Sequence, residues 1–154
     1  MKYLDNYAIY NNKNAFQFKF STDQSKAHIM RIEAANLIEG LTPGKGTAGD
    51  WENKLIFDLR NHDELVVFTS VLLGVQREAS FARQQKKFVA KHNKDNSLYI
   101  LLSDNERSLS TCARYHDIFH ILRLGSSILA SSYKSDPNTI MNTLRATLKP
   151  TASQ

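Results

Sequence analysis

One short pattern occurs twice in this chain, each time where a strand-like stretch gives way to a helix-like one. Leu59-Arg60-Asn61-His62-Asp63 precedes the first helical segment, and Ala113-Arg114-Tyr115-His116-Asp117 precedes the second, 54 residues later. The apolar positions that follow also correspond: Leu65, Val67 and Phe68 fall opposite Phe119, Ile121 and Leu122. Several strands followed by one helix, repeated, is therefore the simplest description of the chain, an α+β arrangement in which two small halves share one core.

The strands announce themselves by a period of two. Phe16, Phe18 and Phe20 alternate with Gln17 and Lys19, and Asn11 to Asn14 before them reads as a turn from a short partner at Tyr7 to Tyr10. Residues 27–38 alternate next, residues 40–49 carry Pro43 and four glycines and read as a loop, and Trp51 to Leu59 alternates again. Asn61 is placed to cap the first helix, with Glu64 completing a capping box and Gly74 stopping it. Residues 79–83, 86–92, 97–103 and 109–114 read as four further strands, followed by a helix over 116–133. The reading is one domain over residues 1–136, with repeats at about 7–75 and 79–133, and a short helix or mobile tail over 137–154.

Charge narrows the class of partner. The formal net charge is +5, and six basic residues lie between Arg77 and Lys94 (Arg77, Arg83, Lys86, Lys87, Lys91, Lys94) against the single acid Glu78. Residues 50–64 lean acidic, so the positive charge is local, as a face for a polyanion would be. Cys112 is the only cysteine, which rules out an intramolecular disulfide and fits a reducing compartment. The start of the chain has no signal-like apolar run, and the longest apolar stretches are too short and too polar to span a bilayer. The expectation is a cytoplasmic protein of a bacterium, phage or plasmid.

Two stretches, DWENKLIFDLRNHDELVVFTSVLLG and KKFVAKHNKDNSLYILLSDNERSLSTCARYHDIFHILRLGSSIL, carry a resemblance to a known family. In order of elements they resemble the Whirly family of single-stranded DNA-binding proteins, relatives of the positive-cofactor-four coactivators. The resemblance spans roughly residues 15–133. It implies two four-stranded antiparallel sheets each followed by a helix (β-β-β-β-α, twice), tetrameric assembly, and single strands lying across the sheets between protomers. The implied roles are replication, recombination, repair or transcription.

A sequence-tolerant single-strand binder needs aromatic or apolar platforms beside Lys and Arg, because free bases offer π-faces and the backbone offers phosphates. The candidate contacts are Lys19, Arg31, Lys54, Phe81, Arg83, Lys86, Lys87, Phe88, Lys91 and Tyr99. The Phe16, Phe18 and Phe20 stripe reads more readily as core, Trp51 as a strand-end anchor, and Lys19, Lys87 and Lys91 would look the same on a plain solvated face. Homo-oligomerisation is expected from the apolar stripes Leu65, Phe68, Val71, Leu72 and Phe119, Leu122, Ile128, Leu129, tetramer before dimer.

Catalytic chemistry finds little support. Residues 40–47 have one residue too few for a phosphate-binding P-loop, and Gly46 stands at the magnesium-ligand position. His116 and His120 share a helical face near Cys112, but no third metal ligand or nucleophile-activating partner is evident, and Cys112 reads as a small buried residue. No catalytic residue, metal or cofactor is expected. The alternatives are an RNA-binding protein of the same fold and an oligomeric protein-interaction scaffold.

Overall fold

The computed structural model describes residues 5–38 and 49–147. Eight strands and three α-helices follow in the order β1 (Asn6–Tyr10), β2 (Asn14–Thr22), β3 (His28–Asn36), β4 (Leu55–Leu59), α1 (Glu64–Leu73), β5 (Glu78–Ala82), β6 (Lys87–His92), β7 (Leu98–Ser103), β8 (Ser108–Ala113), α2 (Tyr115–Ser132) and α3 (Pro137–Thr147). They form two four-stranded antiparallel sheets, β1-β2-β3-β4 and β5-β6-β7-β8, each followed by a helix. The α+β fold read from the repeat is present in full.

Short polar side chains set the hairpin turns. Asn11 Oδ1 accepts from the amides of Lys13 and Asn14, Asp23 Oδ1 from Ser25 and Ala27, and Asp104 Oδ1 from Glu106 and Arg107. In the β6–β7 turn Asn96 takes the left-handed conformation (φ 68°) that asparagine tolerates.

The two helix starts differ from the symmetric expectation. Asp63, not Asn61, caps α1: its carboxylate accepts from Glu64 N at 2.6 Å, while Glu64 reaches back to the Arg60 amide at 3.2 Å. Asn61 instead points to Ser132 Oγ at the end of α2, 3.4 Å away. In the second repeat Asp117 does what Glu64 does in the first, accepting from the Arg114 amide at 2.9 Å. Gly74 closes α1 at φ 87°, a conformation costly for any residue with a Cβ. Trp51 belongs to a 3-10 turn (Trp51–Asn53) ahead of β4 rather than to the strand, its indole lying over Gly49.

The helices cross over. α1, which follows the first sheet, packs on β5 and β6 of the second, and α2 packs mainly on β1, β2 and β3 of the first. The two halves therefore interlock, and one core results. Phe16, Phe18, Ile32 and Phe57 of the first sheet join Phe88, Ile100 and Leu102 of the second and Leu65, Phe68, Ile121 and Ile128 of the helices. At the helix crossing Gly125 comes so near α1 that a Cβ there would stand 3.0 Å from Thr69 Oγ1. Helix α3 lies against α1 and α2 with Leu144 buried. The 40–47 loop and the 148–154 tail lie outside the described residues.

The β4 and β8 edges each take side-chain donors from the other half of the chain, which limits edge-to-edge association there. Arg83 Nη2 donates to Asp58 O (2.9 Å) and Lys86 Nζ to Ile56 O (2.8 Å) along β4. Asn11 and Asn14 both donate to Ser110 O of β8, each at 3.1 Å.

Candidate nucleic-acid interface

Register decides which side chains leave each sheet on the side away from the core. In the second sheet the pairing aligns Glu78, Lys91, Tyr99 and Cys112 in one row, Ser80, Val89, Leu101 and Ser110 in the next, and Ala82, Lys87, Ser103 and Ser108 in the third. All three rows face away from the helices, because the intervening residues, Phe88, Ala90, Leu98, Ile100 and Leu102 among them, are buried. The outer face is therefore a half-exposed apolar floor of Val89 and Leu101, with Tyr99 (36% exposed), the two exposed lysines and several small hydroxyl side chains around it. Its one acid, Glu78, stands 3.9 Å from Lys91, and both ends of that pair are well solvated.

The first sheet's outer face is different in kind. Lys19, Glu33 and Lys54 form a triad in which a carboxylate almost wholly removed from water takes both ammonium groups at 2.9 Å. Burial alone would raise the Glu33 carboxyl, but hydrogen bonds and attraction from Lys54 and Lys19 outweigh it and hold the group below its usual range. Arg31 makes a two-pronged pair with Asp58, Nε to Oδ1 at 2.8 Å and Nη2 to Oδ2 at 3.1 Å. That hydrogen bonding pushes the Arg31 guanidinium further up. Three cations expected to contact nucleic acid thus already hold carboxylates of the chain.

Arg83 and Lys86 are likewise turned inward, to the junction between the sheets. Arg83 grips the Glu64 carboxylate with both terminal nitrogens, lies 4.5 Å over the Phe57 ring and donates to Asp58 O. The hydrogen bonds to Glu64 raise its basicity. Phe81 and Phe88 are corrected more sharply as stacking platforms. Phe88 is 0% exposed, and Phe81 stacks on it from the same inner row, ring centroids 6.3 Å apart and nearly parallel. Of the ten candidate contacts, the structure brings Lys87, Lys91 and Tyr99 together on one open face. Val89 and Leu101 were missed, although alternation carried the signal: once Phe88 points inward, its neighbour must point out.

Cys112 is exposed rather than buried, with Sγ 3.2 Å from Ser97 Oγ. His120 stacks on Tyr7 (4.8 Å, 20°) and His116 lies beside Asp117, so the two histidines serve different neighbours. No group of three or more His, Cys, Asp or Glu side chains suited to a metal ion occurs among the described residues. No helix among them is long and apolar enough to cross a membrane.

No family model matches this chain, and no curated protein matches it by sequence. Among solved structures it is similar to one titled "Crystal structures of trypanosoma bruciei MRP1/MRP2", with a TM-score of 0.56 and 9% identity over 83% of this chain and 93% of that one. At that identity the likeness is one of fold.

The Glu33 triad gives a test of the charge contrast between the sheets. Glu33→Gln removes the charge that holds Lys19 and Lys54, leaving two part-buried ammonium groups without a counter-ion. The expected cost is about 1–3 kcal/mol of stability by urea titration at pH 7. Because the Glu33 carboxyl is lowered in the folded state, its contribution is present above the ordinary glutamate range and disappears as pH falls through the lowered value. The difference between wild type and variant should accordingly shrink at acid pH, and a difference independent of pH would show that the triad contributes nothing as a charge cluster.

Proposed function

We propose that this chain is a non-catalytic, largely sequence-tolerant single-stranded DNA-binding protein whose platform is the outer face of the second sheet. The observation that carries the reading is the contrast between the two outer faces: Lys87 and Lys91 flank Tyr99 and an apolar floor, whereas Lys19, Arg31 and Lys54 are paired with carboxylates. An aromatic ring with apolar neighbours offers stacking surface to free bases, and the lysines offer phosphate contacts, the combination such binders use. The resemblance in sequence pattern to the Whirly family supports the same reading. Fluorescence polarisation with oligo-dT of about 20–30 nucleotides, matching duplex and oligo-rU tests it. Single strand should bind better than duplex, since stacking needs free base faces; equal affinity would remove the basis for the platform. Tighter binding to oligo-rU than to oligo-dT would move the protein to the RNA-binding alternative.

We further propose homo-oligomerisation through the helical side. Leu65, Phe68, Val71 and Leu72, expected to supply that contact, are all buried within the chain, as are Ile128 and Leu129. What remains outside is the first half of α2, with Tyr115 87% and Phe119 55% exposed and Ile118 and Leu122 half-buried beside them. Exposed aromatics on one helical face are an ordinary signature of an association surface. Phe119→Asp should convert the assembly to a 17.5 kDa monomer without unfolding it. Light scattering that gives a monomer for the wild type rejects the assembly outright.

A further inference from the structure

The β6–β7 turn closes one end of the second sheet's outer face, directly beyond the row that holds Lys91, Tyr99 and Cys112. Alternation keeps Asn93 on the side of Lys91 and Ser97 on the side of Tyr99, two residues away in each case. The backbone fixes the turn: Asn93 N donates to Ser97 O at 2.8 Å, and Asn96 N to Asn93 O at 3.1 Å. Above it the side chains form a hydrogen-bond chain. Ser97 Oγ lies 2.6 Å from Asp95 Oδ1 and 2.9 Å from Asn93 Nδ2. Cys112 Sγ lies 3.2 Å from Ser97 Oγ and 3.6 Å from Asn93 Nδ2.

The carboxylate sets the direction of this chain. Asp95 Oδ1 also takes the Ser97 amide at 3.1 Å, and the hydrogen bonds from Ser97 hold the Asp95 carboxyl below its usual range, so it only accepts. The Ser97 hydroxyl therefore spends its one hydrogen on Asp95 and offers lone pairs to Asn93 and Cys112. Asn93 must turn its NH2 group inward, and both hydrogens are used, one on Ser97 Oγ and one on Cys112 Sγ. What Asn93 presents outward, on an exposed side chain, is its carbonyl oxygen, which takes no hydrogen bond among the described residues.

Tyr99 thus has unlike neighbours on its two sides. Leu101 and Val89 continue the face away from the turn, whereas Ser97 and the Asn93 amide, which reaches the cross-strand partner of Tyr99, stand toward it. We propose that Asn93 reads the edge of the base stacked on Tyr99 and favours bases that carry an exocyclic amine there, with Ser97 as its positioning residue. This rests on the second sheet being the platform. The amines of cytosine N4 and adenine N6 donate to such an acceptor, whereas O4 of thymine or uracil sets acceptor against acceptor. A single neutral contact of this kind tilts the affinity and leaves the binding largely sequence-tolerant.

Oligo-dC and oligo-dU of equal length test it, since the two bases have the same ring size and differ at N4/O4 and at the N3 proton. By polarisation at neutral pH the wild type should bind oligo-dC about fivefold more tightly, the effect of one neutral hydrogen bond. Asn93→Ala should bring the ratio to about one by removing the acceptor, with affinity for oligo-dU and melting temperature nearly unchanged. Ser97→Ala should shrink the ratio as well, because it frees the Asn93 amide to rotate, an effect that a purely structural role in the turn would not produce. A wild-type ratio of one, or a ratio that survives in Asn93→Ala, would overturn the reader. If Lys87→Glu/Lys91→Glu then still weakens both oligonucleotides, the platform stands without it. Binding of neither oligonucleotide by the wild type, or normal binding by the lysine variant, would overturn platform and reader together.

Discussion

Replacing Phe88 with alanine is expected to lower stability by about 3–5 kcal/mol, the range for deleting a wholly buried phenylalanine. The side chain sits where three parts of the fold meet. Its ring is 5.8 Å from Phe57 of β4, 5.3 Å edge-on from Phe68 of α1, and 6.3 Å from Phe81 of β5. No neighbour can close the gap without shifting a second element, so the cavity should persist. Urea titration reads the change as a lower midpoint at similar slope. At temperatures where the variant stays folded, affinity for oligo-dT should be close to that of the wild type. Retained stability with lost binding would reverse the assignment and make Phe88 a stacking platform after all.

Charge reversal on the open face should do the opposite, changing binding and leaving the fold nearly alone. Lys87→Glu/Lys91→Glu is expected to weaken oligo-dT binding for every base sequence alike. It should also flatten the dependence of log affinity on log salt by about 1.4, roughly 0.7 for each phosphate contact on a single strand. Stability should move by about 0.5 kcal/mol or less, as for other exposed positions. The small cost comes from setting residue 91 as a like charge across from Glu78. Tyr99→Ala should remove about 1–3 kcal/mol of binding, roughly 5- to 150-fold, without altering the salt slope, because stacking releases no counter-ions. Polarisation titrations at several salt concentrations separate the two effects. An unchanged slope in the lysine variant would place the strand's path elsewhere.

What the sequence determined by itself is what short-range rules govern. Local patterns placed all eight strands, and alternation oriented β2 and β4 so that Phe16, Phe18, Phe57 and Leu59 face the core. Gly74 ended α1 where a left-handed residue was required, and the repeated arginine-to-aspartate run marked both helix starts. These features depend on a residue and its neighbours within a few positions, and a periodic pattern encodes them directly.

The site was decided by tertiary structure, because a basic or aromatic residue carries no mark of what it will meet. Lys19 and Lys54 converge on Glu33 only once β2, β3 and β4 are in register. Arg83 finds Glu64 only because α1 crosses to the second sheet. Phe88 and Tyr99 are both aromatic residues on adjacent strands, yet one is sealed among three rings and the other stands in the open row beside Lys91. Periodicity says which residues share a face. Which face the helices cover, and which cations are left over once every buried carboxylate has taken its partner, follows from packing between the two repeats.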